Sequence, residues 1–360
     1  MSEARRLSKI RWIALTTLIG GLLTGLAMAG EPERFTVGSI LAPPGETVSG
    51  YLEVPAGSDE GTRIPITVVH GTSAGPVLAL IAGTHGYEYP PILALQRVRR
   101  DLDAGELSGT LILVHVANLP SFLGRTIYYS PVDGKNLNRV YPGDPNGTVS
   151  DRIADVLYKQ VIELADYVVD MHGGDGNEAL RPYLYLTVTG ESELDERSKA
   201  LGLAFGLDTI VVQGGWSDEP TAHVYTEWAA LGLGKPAITT ETGSMGSTAE
   251  TLVSLAEQGV WNLLQHLGML EGEPQRSPAV VWLEEGQVVR SPAAGMFQPA
   301  VKEGYFVEKD GLLGTLSDFF GDPIQPVTAP FAGVVNYVIS TPPVSEREPL
   351  AMVSRVRGAD

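Results

Sequence analysis

Residues 77–82, Val-Leu-Ala-Leu-Ile-Ala, form an unbroken apolar run closed by Gly83. A strand with one wet face alternates polar and apolar residues, so a run without alternation belongs to a strand buried on both faces. Such a strand needs helices on both sides, and the chain supplies them. Residues 89–102 put Ile92, Leu95 and Val98 on one side of a helix. Ser150 is placed to cap another, in which Ile153, Leu157, Val161 and Leu164 recur at helical spacing. Further helical segments fall near 191–205, 221–232 and 248–268. Further strand runs fall at 110–117, 167–171, 183–188, 209–213 and 237–240. The expected architecture is α/β, a mixed, mainly parallel sheet with helices on both faces. In such sheets the ligand site lies beyond the carboxyl ends of the strands.

The pattern changes at residues 272–278, Gly-Glu-Pro-Gln-Arg-Ser-Pro. Beyond them come short strand-like runs with Gly and Pro turns and no helix, which predicts a smaller all-β domain over 273–360 after a catalytic domain over 30–272. A weak repeat runs through it. Pro292-Ala-Ala-Gly295 echoes Pro330-Phe-Ala-Gly333, followed by Val307 or Val344 and then by Leu312 or Leu350. The spacing resembles the two halves of a biotinyl/lipoyl-type barrel-sandwich domain. Residues 314–320 hold no lysine to carry a cofactor, so a lid or assembly role is expected.

At the other end, Arg5, Arg6, Lys9 and Arg11 precede an uncharged stretch over 12–29 that closes on Ala27-Met28-Ala29. This is the order of a secretory signal peptide, residues 1–29, cut before Gly30. The alternative is an N-terminal membrane anchor, disfavoured by Gly20, Gly21, Gly25 and three threonines in the stretch. Arg5-Arg6 is a weak match to twin-arginine export. The expected location is periplasmic or extracellular. Charge supports no nucleic acid partner and no membrane surface beyond the export signal, since both attract basic faces. The full chain carries −18, and without residues 1–29 the balance is 21 basic against 42 acidic, or −21. With no cysteine, disulfides, thiolate metal sites and a Cys nucleophile are excluded. Any metal must be held by His and carboxylate.

Candidate chemistry lies where strands end. Gly83-Thr-His85-Gly-Tyr-Glu88 follows the first buried run, and Asp170-Met-His172-Gly-Gly174 closes another. Two His and a Glu can hold a catalytic zinc, leaving a fourth position for water. Zinc lowers the pKa of that water from about 15.7 to about 7. The His–x–x–acid spacing is unremarkable in a chain with 43 acidic residues. The residues alone leave metal ligands and ordinary loop histidines both open.

Two further segments bear on that choice. Residues 125–143 read Arg-Thr-Ile-Tyr-Tyr-Ser-Pro-Val-Asp-Gly-Lys-Asn-Leu-Asn-Arg-Val-Tyr-Pro-Gly, and residues 235–243 read Lys-Pro-Ala-Ile-Thr-Thr-Glu-Thr-Gly. With the two histidine motifs, and in this order, they resemble the succinylglutamate desuccinylase/aspartoacylase family, relatives of the zinc carboxypeptidases, over roughly residues 60–355. The resemblance implies one zinc per chain held by His85, Glu88 and His172, with Glu241 as general base and acid. It implies that Asn138 and Arg139 grip a substrate carboxylate, and that Arg125 polarises the scissile carbonyl. Without it, Glu241 reads as a helix N-terminal carboxylate and Arg125 as a surface arginine. Asn136 departs from the family's usual Asp-Leu-Asn-Arg, removing a carboxylate there. No second carboxylate-reading arginine can be placed; Arg181 is nearby in sequence only. His70, His115, His223 and His266 read as packed or surface residues, and 191–196 as a solvated acidic helix face.

The implied activity is zinc-dependent hydrolysis of the amide bond of an N-acyl amino acid or similar small molecule with a free carboxylate. A zinc carboxypeptidase or peptide amidase acting on envelope peptides is the alternative, and a non-catalytic metal- or solute-binding protein the third. The acyl group, the amine and the oligomeric state are not legible in the sequence.

Overall fold

The computed structural model describes residues 33–358. Segment 77–82 lies in strand Ser73–Ala82, and its apolar residues divide between two cores. Leu78, Leu80 and Ala82 face one; Ala79 and Ile81 face the other. Successive side chains on a strand point to opposite faces, so a strand between two cores must be apolar throughout. Strand Ser108–Val114 does the same, with Leu111 and Leu113 on one side and Ile112 and Val114 on the other.

Four strands run parallel through the centre in the order Ser108–Val114, Ser73–Ala82, Tyr167–His172, Ala237–Glu241. Tyr183–Thr187 joins antiparallel to the last, and Thr209–Gln213 and then Val281–Arg290 continue parallel to it. Antiparallel strands extend both sides. Thr62–His70 and Glu46–Val54 lie at one; Pro349–Val356, Gly333–Ile339 and Phe306–Val307 lie at the other. The sheet is therefore mixed and not mainly parallel: its parallel pairings lie in the interior, interrupted by the antiparallel pair of Tyr183–Thr187 with Ala237–Glu241, and antiparallel pairings run on to both edges.

Helices cover both faces. Tyr89–Asp101, Ser192–Phe205 and Glu250–His266 bury Leu95, Leu201 and Leu263 in one core. Val149–Leu157 and Thr226–Leu231 bury Ile153 and Ala230 in the other. Three local expectations are corrected. Thr148, not Ser150, caps helix Val149–Leu157: its N–H and hydroxyl both donate to Asp151 Oδ2, at 2.9 and 2.8 Å. Ser150 instead bonds Asp133 through its N–H and its hydroxyl, both at 2.9 Å. A π turn over Tyr158–Ile162 widens the helix end, so Val161 and Ala165 are buried while Leu164 is exposed. The segment near 221–232 is helical only over Thr226–Leu231, and His223 lies just after the short turn Pro220–Ala222.

The β-rich region from residue 281 onward is stitched into the large sheet through Val281–Arg290 and packs against a second, four-stranded sheet. Phe297, Leu316, Val335 and Val353 fill the space between. The sequence repeat occupies matching positions: Gly295 and Gly333 each open a strand, and Val307 and Val344 each close a two-residue strand. Leu283, Tyr337 and Met352 from this region share an apolar cluster with Leu180, Tyr183 and Val211. The segment assigned to a signal peptide, 1–29, lies outside the described residues. Among the described residues no helix is long and apolar enough to cross a membrane.

Candidate active site

The central strands end at one edge of the sheet, and their last residues carry the candidate chemistry. Strand Ser73–Ala82 turns at Gly83, whose φ of +72° favours glycine; a Cβ there would also sit 2.8 Å from Val116 Cα. The turn delivers His85 and Glu88. His172 ends its own strand and pairs in register with Glu241 on the next. Their following loops touch backbone to backbone: a Cβ on Gly173 would lie 2.6 Å from Gly243 Cα. This close approach holds His172 and Glu241 side by side.

His85, Glu88 and His172 are all buried, with their ligand atoms within 4.8 Å of one another. Glu88 Oε1 lies 2.7 Å from His85 Nδ1 and Oε2 lies 2.9 Å from His172 Nδ1. Burial works against the Glu88 charge, but His172 and His85 outweigh it and hold the carboxyl down at about 2. Burial also opposes charge on both imidazoles. Glu88 overcomes it at His85, and Asp170 with Glu88 at His172, so both titrate above the usual range.

Both outer ring nitrogens are held from behind. His172 Nε2 lies 2.9 Å from Asp170 Oδ2. His85 Nε2 lies 3.1 Å from Asn136 Oδ1. A ring pinned this way presents Nδ1 as the ligand atom. Two imidazoles and a carboxylate, with outer nitrogens oriented, fit a zinc site with three protein ligands. At position 136 the amide keeps the hydrogen-bond acceptor and loses only the charge. From sequence Asn136 stands only as a lost carboxylate and neither residue has an orienting role, although Asp170 leaves a signal. Residues two apart on a strand share a face, so Asp-x-His places the carboxylate beside the imidazole.

Glu241 lines the same cavity, of about 680 Å³. No side-chain hydrogen bond reaches its carboxylate among the described residues. Burial lifts it well above the ordinary carboxyl range, against the pull of His172 and with Glu88 adding to the rise. A carboxyl raised by burial, with no hydrogen bond holding it ionised, is suited to taking and returning a proton.

The three remaining candidates separate. Arg139 lines the cavity, with Nη1 donating to Asn138 O at 2.6 Å and the guanidinium 4.6 Å above the Tyr225 ring. It forms no ion pair among the described residues, so its charge is left to meet an anion. Asn138 is committed to the protein. Its Oδ1 accepts from Thr226 N at 2.8 Å and from the Thr226 hydroxyl at 3.1 Å, and its Nδ2 donates to Asp170 Oδ2 at 3.2 Å. It braces the Asp170–His172 pair and also lines the cavity. Arg125 is not brought to the cluster. It is exposed at the left-handed position, φ 49°, that ends helix Leu119–Gly124, and it does not line the cavity.

The other histidines are packed or superficial. His115 bonds Thr67 at 2.9 Å, and burial lowers it to about 4. His70 bonds Thr110 at 2.8 Å. Arg181 pairs with Asp208 at 3.0 Å.

Residues 74–267 match the succinylglutamate desuccinylase/aspartoacylase catalytic domain. The chain belongs to that family. This succinylglutamate desuccinylase/aspartoacylase family member is 31% identical over 287 residues to the N-alpha-acetyl-L-2,4-diaminobutyric acid deacetylase of Halomonas elongata, covering 77% of this chain and 82% of the relative. Its fold is shared with the product-bound ectoine utilization protein EutE (DoeB) from Ruegeria pomeroyi, at a TM-score of 0.78 and 29% identity over 86% of this chain and 95% of that one. It is likewise shared with a succinylglutamate desuccinylase/aspartoacylase from Rhodobacter sphaeroides, at a TM-score of 0.76 and 26% identity over 87% and 96%. The Halomonas elongata relative is a deacetylase of an N-acetylated amino acid, and the family to which this chain belongs is one of hydrolytic deacylases.

Proposed function

We propose that the protein is a zinc-dependent deacylase that hydrolyses the amide bond of an N-acyl amino acid carrying a free carboxylate. The observation that carries this reading is one cavity holding the His85–Glu88–His172 cluster, the raised carboxyl of Glu241 and the guanidinium of Arg139. Acetyl is the first acyl group to try, after the Halomonas elongata relative.

His85, Glu88 and His172 would hold one zinc per chain, which would supply Lewis acidity when bound. Glu241 accepts the water's proton and returns it to the leaving amine, for which a raised carboxyl is matched. Arg139 binds the substrate carboxylate through its planar fork, steadied by Tyr225. Asp170 and Asn136 orient the two imidazoles, and Asn138 braces Asp170. Met352, Tyr337 and Val288 put the β-rich region in the cavity wall. The chain then reads as a catalytic domain over 30–272 followed by a barrel-sandwich-like part over 273–360, and the latter takes a closing role. Export by residues 1–29 is part of the same proposal, tested by whether the mature N-terminus is Gly30.

Purified protein is expected to contain about one zinc per chain and to hydrolyse N-acyl amino acids in preference to short peptides. Glu241→Gln is expected to abolish turnover with zinc retained. No bound metal after zinc supplementation, or an unchanged rate in Glu241→Gln, would overturn the mechanism.

A further inference from the structure

The cavity is lined by more carboxylates than its catalytic reading uses. Glu88 lies between the histidines, and Glu241 is the base. Glu227 is satisfied, accepting from Thr187 N at 3.3 Å and from the Thr239 hydroxyl at 2.8 Å. Glu285 is paired with Arg355 at 2.8 Å. Glu178 remains. Its Oε2 accepts from Asp175 N at 3.3 Å and the Tyr128 hydroxyl also serves its carboxyl, but no Lys, Arg or His pairs with it among the described residues.

Glu178 is held firmly. It opens the short strand Glu178–Leu180, which pairs antiparallel with Gly333–Ile339. Its N–H donates to Asp175 O at 3.0 Å, and its carbonyl accepts from Met245 N at 2.8 Å. Tyr128, Tyr183 and Tyr337 line the same cavity, and aromatic faces attract cations. A carboxylate without a cation is costly in such a place, and a ligand cation offsets that cost.

We propose that Glu178 is a specificity-determining residue that binds an ammonium group on the side chain of the substrate amino acid. With Arg139 for the carboxylate, the cavity then reads both charges of an N-acyl diamino acid. This rests on the deacylase reading above. Burial pushes the Glu178 carboxyl up to about 7, with the Tyr128 hydroxyl working against that rise. A bound ammonium would draw it back down, so cation binding and ionisation support one another. An anionic side chain, as in an N-acyl aspartate or glutamate, would be repelled at the same place.

The test compares two isosteric substrates on the zinc-loaded enzyme, Nα-acetyl-2,4-diaminobutyrate and Nα-acetylnorvaline. The wild type is expected to favour the cationic one in kcat/KM by roughly 10- to 100-fold, the range of one charge-assisted hydrogen bond. Glu178→Gln is expected to remove that preference through KM, leaving kcat and the norvaline substrate nearly unchanged. Glu178→Asp, which keeps the charge, is expected to retain part of it. Equal losses on both substrates would reduce Glu178 to a structural role. Hydrolysis of acetylnorvaline without preference for its cationic isostere would overturn the subsite and leave the deacylase reading intact. If neither is hydrolysed, calorimetric binding of free 2,4-diaminobutyrate against norvaline decides the subsite by itself: tighter binding of the diamino acid supports it, equal binding overturns it.

Discussion

At the residue scale, the cluster's outer partners decide how well it holds an ion. Asp170 is fully buried and supports His172. Asp170→Asn keeps a hydrogen-bond acceptor but removes its charge, and should weaken zinc binding by about 10- to 100-fold in chelator competition. Asn136→Asp works the other way, raising the basicity of His85, and should tighten binding in the same assay. Glu227 offers a stability test away from the metal. Burial lifts its carboxyl from 4.5 to about 7, against hydrogen bonds from Thr239 and Thr187. Its folded pKa is raised, so the native state holds a proton that the unfolded chain releases. No stability is lost to it below pH 4.5; the loss grows as pH rises toward 7 and levels off above. A shift of that size corresponds to at most about 3 kcal/mol. Glu227→Gln should therefore narrow the difference in denaturant midpoint between pH 5 and pH 8, gaining at pH 8. A pH profile parallel to wild type would show that Glu227 titrates normally.

At the element scale, helix Glu250–His266 carries Gly259 in its buried face. Glycine to alanine inside a helix ordinarily gains about 1 kcal/mol. Here the added Cβ would meet the Phe205 ring at 2.3 Å, and overpacking of that kind costs about 1–3 kcal/mol. Packing wins, so Gly259→Ala should lower the urea midpoint. Adding Phe205→Leu should recover part of the loss, because the collision is between helices and not within one. The helices themselves were legible: apolar spacing located Tyr89–Asp101 and Glu250–His266 to within two residues. The cap at Thr148 was not, because Asp133 takes Ser150 from outside the helix. Nor was strand Glu46–Val54 announced by an apolar run. Glu46–Val54 lies at the sheet's edge with much of its length exposed, where polar residues are tolerated.

At the scale of the molecule, the β-rich region completes the catalytic one. Strand Val281–Arg290 covers the edge of Thr209–Gln213, and Tyr337 and Met352 complete an apolar cluster with Tyr183 and Val211. A chain ending at residue 272 would expose that strand edge and those side chains together, which favours aggregation. It should be recovered as insoluble or soluble-aggregate material by size exclusion. A monomeric, hydrolytically active fragment would show that the β region is dispensable. Charge at this scale opposes an anionic substrate, since the whole chain carries −18. Attraction for a carboxylate must therefore come locally from Arg139.

The sequence by itself determined the α/β order, the strand ends that carry His85, Glu88, His172 and Glu241, and the family. Each depends on neighbours in the chain: apolar runs, helical spacing, glycines at turns. The tertiary structure alone decided what the remaining polar groups do. Asn138 is claimed by Thr226, 88 residues away. Arg125 is left outside the cavity by the left-handed end of its helix. Glu178 gains its place through a strand pairing with Gly333–Ile339. A side chain's role follows from the partners and the solvent around it, and those come from segments that meet only when the chain folds.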